Sequence, residues 1–127
     1  VVPVKHRSRL ARASDFQRVY RQGSSTASRF LVLYYFRRSP EADGEPRLGL
    51  SVSKKLGGAV VRNRIKRLLR EGFRAFEGRL AKEYDYVVIA RPQLAELVAH
   101  DAQAAVTTAL GELLERAGLL VFEVDAS

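Results

Sequence analysis

Apolar positions near the start of the chain repeat at helical spacing. Phe16, Val19 and Tyr20 fall on one face of a short helix, with Ser14 placed as N-cap, Gln17 three residues on as in a capping box, and Gly23 as the stop. The period then changes. "SRFLVLYYFRR" (28–38) is aromatic and β-branched, with Phe30, Val32, Tyr34 and Phe36 on one side and Leu31, Leu33 and Tyr35 on the other. A strand apolar on both sides is expected to be covered on both. "SPEADGEP" (39–46) reads as a loop, with a solvated hairpin tip favoured over a weak carboxylate site for a divalent ion. "RLGLSVSKK" (47–55) alternates Leu48, Leu50 and Val52 against Gly49, Ser51 and Ser53, a second long strand, and 23–27 adds a short edge strand.

After Gly57 and Gly58 the spacing is helical again, to about Ala81. "YDYVVIAR" (84–91) is a buried strand stopped by Pro92. Asp101 is placed to cap a last helix carrying Ala102, Val106, Ala109, Leu110, Leu113 and Leu114, ended by Gly118, and "LLVFEVDAS" is a short strand or a loose tail. The order α-β-β-β-α-β-α predicts an α+β sandwich, helices packed on a small sheet. One domain spans 1–127, with 1–6 and 119–127 expected to be loosely ordered.

Charge changes the picture. Twenty-two Lys and Arg against fourteen Asp and Glu leave +8, which suits a polyanion, nucleic acid before membrane. Six of the seventeen positions of "VVRNRIKRLLREGFRAF" (60–76) are Arg or Lys, against the single acid Glu71. At 100° per residue Val61, Ile65, Leu68, Leu69, Gly72 and Phe76 make one stripe; Arg62, Asn63, Lys66, Arg67, Arg70 and Arg74 make the opposite one. A merely solvated face would intersperse Glu with Lys. Five of the six cations are Arg, whose planar fork suits phosphate, and Lys54, Lys55 and the glycine pair enlarge the patch. The nearby Phe16, Tyr20, Phe30, Tyr34 and Tyr35 serve either as core or as a platform for unpaired bases.

Other chemistries find little. Cys is absent and His6 and His100 are far apart in sequence, so disulfides and Cys- or His-based metal sites have no support. No nucleophile–base constellation is visible, and Asp15, Asp85 and Asp101 read as caps or strand ends. No apolar run nears the ~20 residues of a membrane span. "VVPVKHRSRLARAS" lacks the apolar core of a secretion signal, so a cytoplasmic location is the default expectation.

"LGLSVSKKLGGAVVRNRIKRLLREGFR", preceded by "SDFQRVYRQG" and "FLVLYYF" and followed by "YDYVVIARP", resembles the protein subunit of bacterial ribonuclease P over about residues 7 to 117. The resemblance implies a ribosomal-S5-domain-2-like fold with a left-handed β-α-β crossover through the basic helix. It also implies a catalytic RNA partner that removes the 5′ leader of precursor tRNA using Mg²⁺, and a protein without catalytic residues or a metal of its own. Carried over by position, Lys54, Lys55, Arg62, Asn63, Arg64, Lys66, Arg67 and Arg70 would face the catalytic RNA, and Phe16, Tyr20, Val32 and Tyr34 would line the leader cleft. Tyr20 departs from the usual Phe, and the 39–46 loop is longer and more acidic than the pattern. The competing readings are a ribosomal or other structural RNA-binding protein with no part in an enzyme, and a duplex DNA binder using the helix in a major groove.

Overall fold

The computed structural model describes residues 9–39, 44–98 and 102–121. The elements run α1 (Ala13–Gln22), β1 (Ser24–Ala27), β2 (Leu31–Arg37), β3 (Arg47–Ser51), α2 (Ala59–Arg74), β4 (Tyr84–Ala90), α3 (Leu94–Val98) and α4 (Ala102–Arg116). The strands form one mixed sheet in the order β1-β2-β4-β3. β4 is antiparallel to β2 and parallel to β3, so α2 carries the chain between neighbouring parallel strands. The predicted α+β order holds, with the short α3 as an addition.

Register decides what each face carries. The rows Val32–Ile89–Ser51 and Tyr34–Val87–Gly49 lie on one face, and Leu33–Val88–Leu50 and Tyr35–Tyr86–Leu48 on the other. The second face packs on α2 and α4 through Ile65, Leu69, Phe73, Val106, Leu110, Leu113 and Leu114, all buried. α1 covers part of the first, where Leu10, Val19 and Val87 form a smaller buried cluster. Both faces of β2 are thus covered, though Tyr34, Tyr35 and Phe36 are only half-buried.

Local boundaries differ from the sequence reading for identifiable reasons. α1 starts after Arg12 without a side-chain cap, and Ser14 lies inside its first turn. The Ser28 hydroxyl accepts the N–H groups of Phe30 and Leu31 (both 3.3 Å), so 28–30 is a turn and the strand begins later. β3 stops at Ser51, and Lys54–Leu56 form a 3-10 turn closed by Gly57 at φ +142°. Val61 packs over that glycine, where an added Cβ would lie 2.9 Å from Val61 Cβ. α2 ends at Arg74 rather than near Ala81, and the turns after it are closed by Gly78 at φ +89°. Its inner stripe is rotated: Phe73 is buried, Leu68 is half-buried and Val61 is exposed. Residues 119–121, expected to be loose, are held by Ala81 N–H to Leu119 O (2.9 Å) and Val121 N–H to Arg79 O. The predicted cap Asp101, residues 1–8 and the tail from 122 lie outside the described residues.

Asp85, read from sequence as a strand end, is fully buried and accepts three charged hydrogen bonds. Arg38 donates one at 2.8 Å, and Arg47 donates two, from Nε at 2.8 Å and Nη2 at 2.7 Å. Arg38 also reaches the carbonyls of Tyr84 (2.9 Å) and Lys82 (3.0 Å). Removing one member of a buried ion pair strands its partners without compensation, typically costing about 3–5 kcal/mol. Asp85→Ala is therefore expected to lower unfolding free energy by about that amount in a urea titration. A loss below about 1 kcal/mol would show that the two arginines find water instead.

Candidate nucleic-acid interface

α2 is ordered by one side and charged on the rest. Arg62, Lys66 and Arg70, at i, i+4 and i+8, form a half-buried row along one flank. Asn63 and Arg67 are exposed beyond it. Among the described residues, Arg62, Lys66, Arg67 and Arg70 enter no ion pair, while Arg74 is shared by Glu71 (3.7 Å) and Glu77 (3.9 Å). Partial burial, and then the charge of Arg9, pull the Arg70 pKa below the ordinary arginine value. The Arg62 Nε is buried without a hydrogen-bond partner. Arg74 apart, these observations mark positive charge held without compensation by a carboxylate among the described residues, the condition a phosphate relieves.

Not all the predicted cations share that flank. Arg64 projects to the other side, where it donates to the Val98 carbonyl at 3.1 Å and fastens α2 to the end of α3. Lys54 and Lys55 are exposed on the turn after β3, and α2 opens at Gly58 with no side-chain cap on its first amides. The second residue of α2, Val60, is 84% exposed, an apolar side chain unsupported at the entrance of a basic helix.

The four predicted cleft residues come from two elements and meet on the α1 face. Tyr20 stands edge-on to Tyr34, ring centroids 5.0 Å apart, and Phe16 lies 6.3 Å from Tyr20. Val32 is two residues before Tyr34 on the same side of β2. All four are half-buried, a state between the core and platform alternatives. Phe16 rests on Gly49, where an added Cβ would come within 2.6 Å of its ring. Burial raises the Tyr20 phenol pKa, Tyr34 adds to the rise, and a hydrogen bond with Ser51 opposes it. Sequence reasoning missed Gly49, Ser51 and Ile89 as neighbours of this cleft. Their alternation was visible, but only the register of β3 and β4 against β2 sets them beside Val32 and Tyr34.

The family model for Ribonuclease P matches residues 4–117. The chain belongs to the ribonuclease P protein family. The ribonuclease P protein component of Bacillus pumilus is 50% identical over 94 residues, covering 74% of this chain and 77% of that one. That of Clostridium novyi is 39% identical over 116 residues, 91% of this chain and 98% of its own. Among solved structures, the RNase P protein of Staphylococcus aureus superposes with TM-score 0.77 at 38% identity, covering 88% of this chain and 96% of that one. The RNase P protein from Thermotoga maritima gives TM-score 0.75 at 34% identity, covering 85% and 96%. As a ribonuclease P protein the chain is a subunit of the holoenzyme, an RNA-binding protein of tRNA processing that associates with ribonuclease P RNA. Among the described residues, no helix is long and apolar enough to cross a membrane, and no three His, Asp or Glu side chains group to hold a metal ion.

The Ser51 contact yields a direct check. Ser51→Ala removes the hydrogen bond that opposes the rise, so the Tyr20 phenol is expected to titrate at still higher pH than in the parent, read by NMR of the tyrosine ring. A shift to lower pH would mean that Ser51 does not stabilise the ionised phenol.

Proposed function

We propose that α2 and the lysine turn bind the catalytic RNA, while the α1 face of the sheet holds the 5′ leader of precursor tRNA. The observation that carries this is the uncompensated row Arg62–Lys66–Arg70 on α2, together with a half-buried aromatic cleft on the α1 face of the sheet. Lys54, Lys55, Asn63 and Arg67 extend the RNA face. Arg64 contributes mainly by fixing α2 against α3, since its guanidinium already holds a carbonyl. Phe16, Tyr20, Val32 and Tyr34 receive the leader by stacking and apolar contact, which any base accepts. The chemistry of leader removal then belongs to the RNA and its Mg²⁺, and the protein acts by holding substrate, in the cytoplasm.

We also infer that the β3–α2–β4 connection is left-handed, as in ribosomal-S5-domain-2-like folds. Seen from the α2 side with β3 running upward, Leu48 faces the viewer, because it is buried among the helices there. The chirality of an L-residue then directs its C=O to the right. That carbonyl accepts the Leu10 N–H at 3.0 Å, so residues 9–10 lie to the right and β4 to the left. Leaving β3 through a helix on the viewer's side and returning on the left is the uncommon hand. It supports the reading because it leaves the β3 edge, beside Arg9 and the α2 row, free of a further strand of the main sheet.

Two measurements test the two surfaces separately. If about six phosphates are neutralised, log K for the catalytic RNA should fall against log salt with a slope of roughly −4 to −6, and Arg67→Ala should reduce that slope by about 0.7–0.9. A flat dependence would remove the electrostatic reading. For the cleft, Phe16→Ala and Tyr34→Ala should each cost about 1–3 kcal/mol in binding leader-bearing substrate to the holoenzyme, leaving mature tRNA nearly unchanged. Equal losses for both substrates, together with lowered melting temperatures, would assign these rings to packing alone.

A further inference from the structure

At the end of the sheet away from the lysine turn lies a second aromatic group, on the face opposite the cleft. Tyr35 and Tyr84 alternate with the cleft side of their strands and sit at the margin of the helix-covered core, half-buried. Their ring centroids are 6.2 Å apart and their planes inclined at 56°, leaving an open angle between them. Arg37 is the register partner of Tyr84, is exposed, and makes no ion pair among the described residues. Ser24 is the register partner of Tyr35. Together with Gln22 these side chains line a pocket of about 250 Å³. Gly23 closes α1 tightly onto β2 at its wall: an added Cβ there would lie 2.5 Å from the carbonyl oxygens of Tyr35 and Val19.

The parts are those of a nucleotide site. Two inclined phenol rings offer faces for one base, the Gln22 amide and Ser24 hydroxyl offer polar groups for its edge, and Arg37 offers a fork for its phosphate. The volume suits one unpaired nucleotide and is too small for a duplex. We propose that the pocket formed by Tyr35, Tyr84, Arg37, Gln22 and Ser24 takes a single unpaired nucleotide of the ribonuclease P RNA. It rests on association with that RNA and is independent of the leader cleft, from which it is separated by the thickness of the sheet.

The test uses adenosine 5′-monophosphate and uridine 5′-monophosphate as probes of the full chain, followed by NMR of the tyrosine rings. Saturable shifts at Tyr35 and Tyr84, weakened in Arg37→Gln, are expected. In parallel, Tyr84→Leu should weaken assembly with the catalytic RNA by about 5-fold to 140-fold, the range of one lost base stack, and Arg37→Gln should weaken it in the same direction, whether or not the substrate carries a leader. Leucine keeps apolar bulk at the core margin, and the exposed Arg37 makes no side-chain hydrogen bond or ion pair among the described residues, so thermal melts should match the parent. No shift with either nucleotide, shifts confined to Tyr20 and Tyr34, or folded variants that assemble like the parent would overturn the proposal. Failure of the leader cleft alone would instead show as equal losses for leader-bearing and mature tRNA in Phe16→Ala and Tyr34→Ala, while Arg37→Gln and Tyr84→Leu still weaken assembly.

Discussion

The structure turns on one carboxylate. Asp85 and Arg47 are register partners in the parallel pairing of β3 with β4, and their bidentate contact fixes that pairing. A slip of β3 by one residue would carry Arg47 away from Asp85, leaving that buried carboxylate with Arg38 alone, and would turn Leu48 and Leu50 out of the core. The contact also reaches beyond the sheet, since Arg47 approaches Asp15 of α1 at 3.9 Å. The same register that satisfies Asp85 sets Gly49 beneath Phe16 and Ser51 beside Tyr20. A buried charge pair is a poor source of stability in itself. Here its geometric consequence matters: the cleft is assembled by the alignment that the ion pair enforces.

Against that fixed frame, α2 is an element under electrostatic load. Ile65, Leu69 and Phe73 are buried and anchor it, and Gly72 lets α4 approach closely, with an added Cβ only 3.2 Å from the Thr107 hydroxyl. Apolar packing on one side therefore holds uncompensated charge on the other, where partial burial first, and then the charge of Arg9, lower the Arg70 pKa. A helix that balanced its own charge would gain stability in isolation and lose affinity for a polyanion.

Much of this was legible in the sequence because local rules and tertiary demands agree. Element order, the basic helix and the strands at 31–37 and 84–90 follow from period and β-propensity. Helix ends were less legible: Ala75, Phe76 and Glu77 are acceptable helix residues, and only the left-handed Gly78 shows that the chain has already turned. The phase of α2 depends on where α4 lies, which its own spacing does not encode, so Phe73 and Val61 exchange roles. Arg64 could not be told from its basic neighbours, because its partner is a carbonyl at the end of α3, a helix of five residues with little periodicity. The Arg38–Asp85–Arg47 group was invisible for the same kind of reason: nothing in the spacing of 38, 47 and 85 announces that they converge.

The strand order has a kinetic consequence. β2 finds one neighbour, β1, almost at once, yet its other partner is residues 84–90, and β3 must also wait for them. β4, one of the two inner strands of the sheet, is thus the last of the four to be synthesised. Until it inserts, the β1–β2 hairpin presents Leu31 and Leu33 beside an open edge, and β3 has no parallel mate. Closing so long a loop before any long-range contact rewards it is slow on the scale of helical proteins of this size. A nascent polypeptide halted before residue 84 therefore lacks both the strand and the helix on which the apolar side of the basic helix packs, and that helix is left with its charge and no anchor.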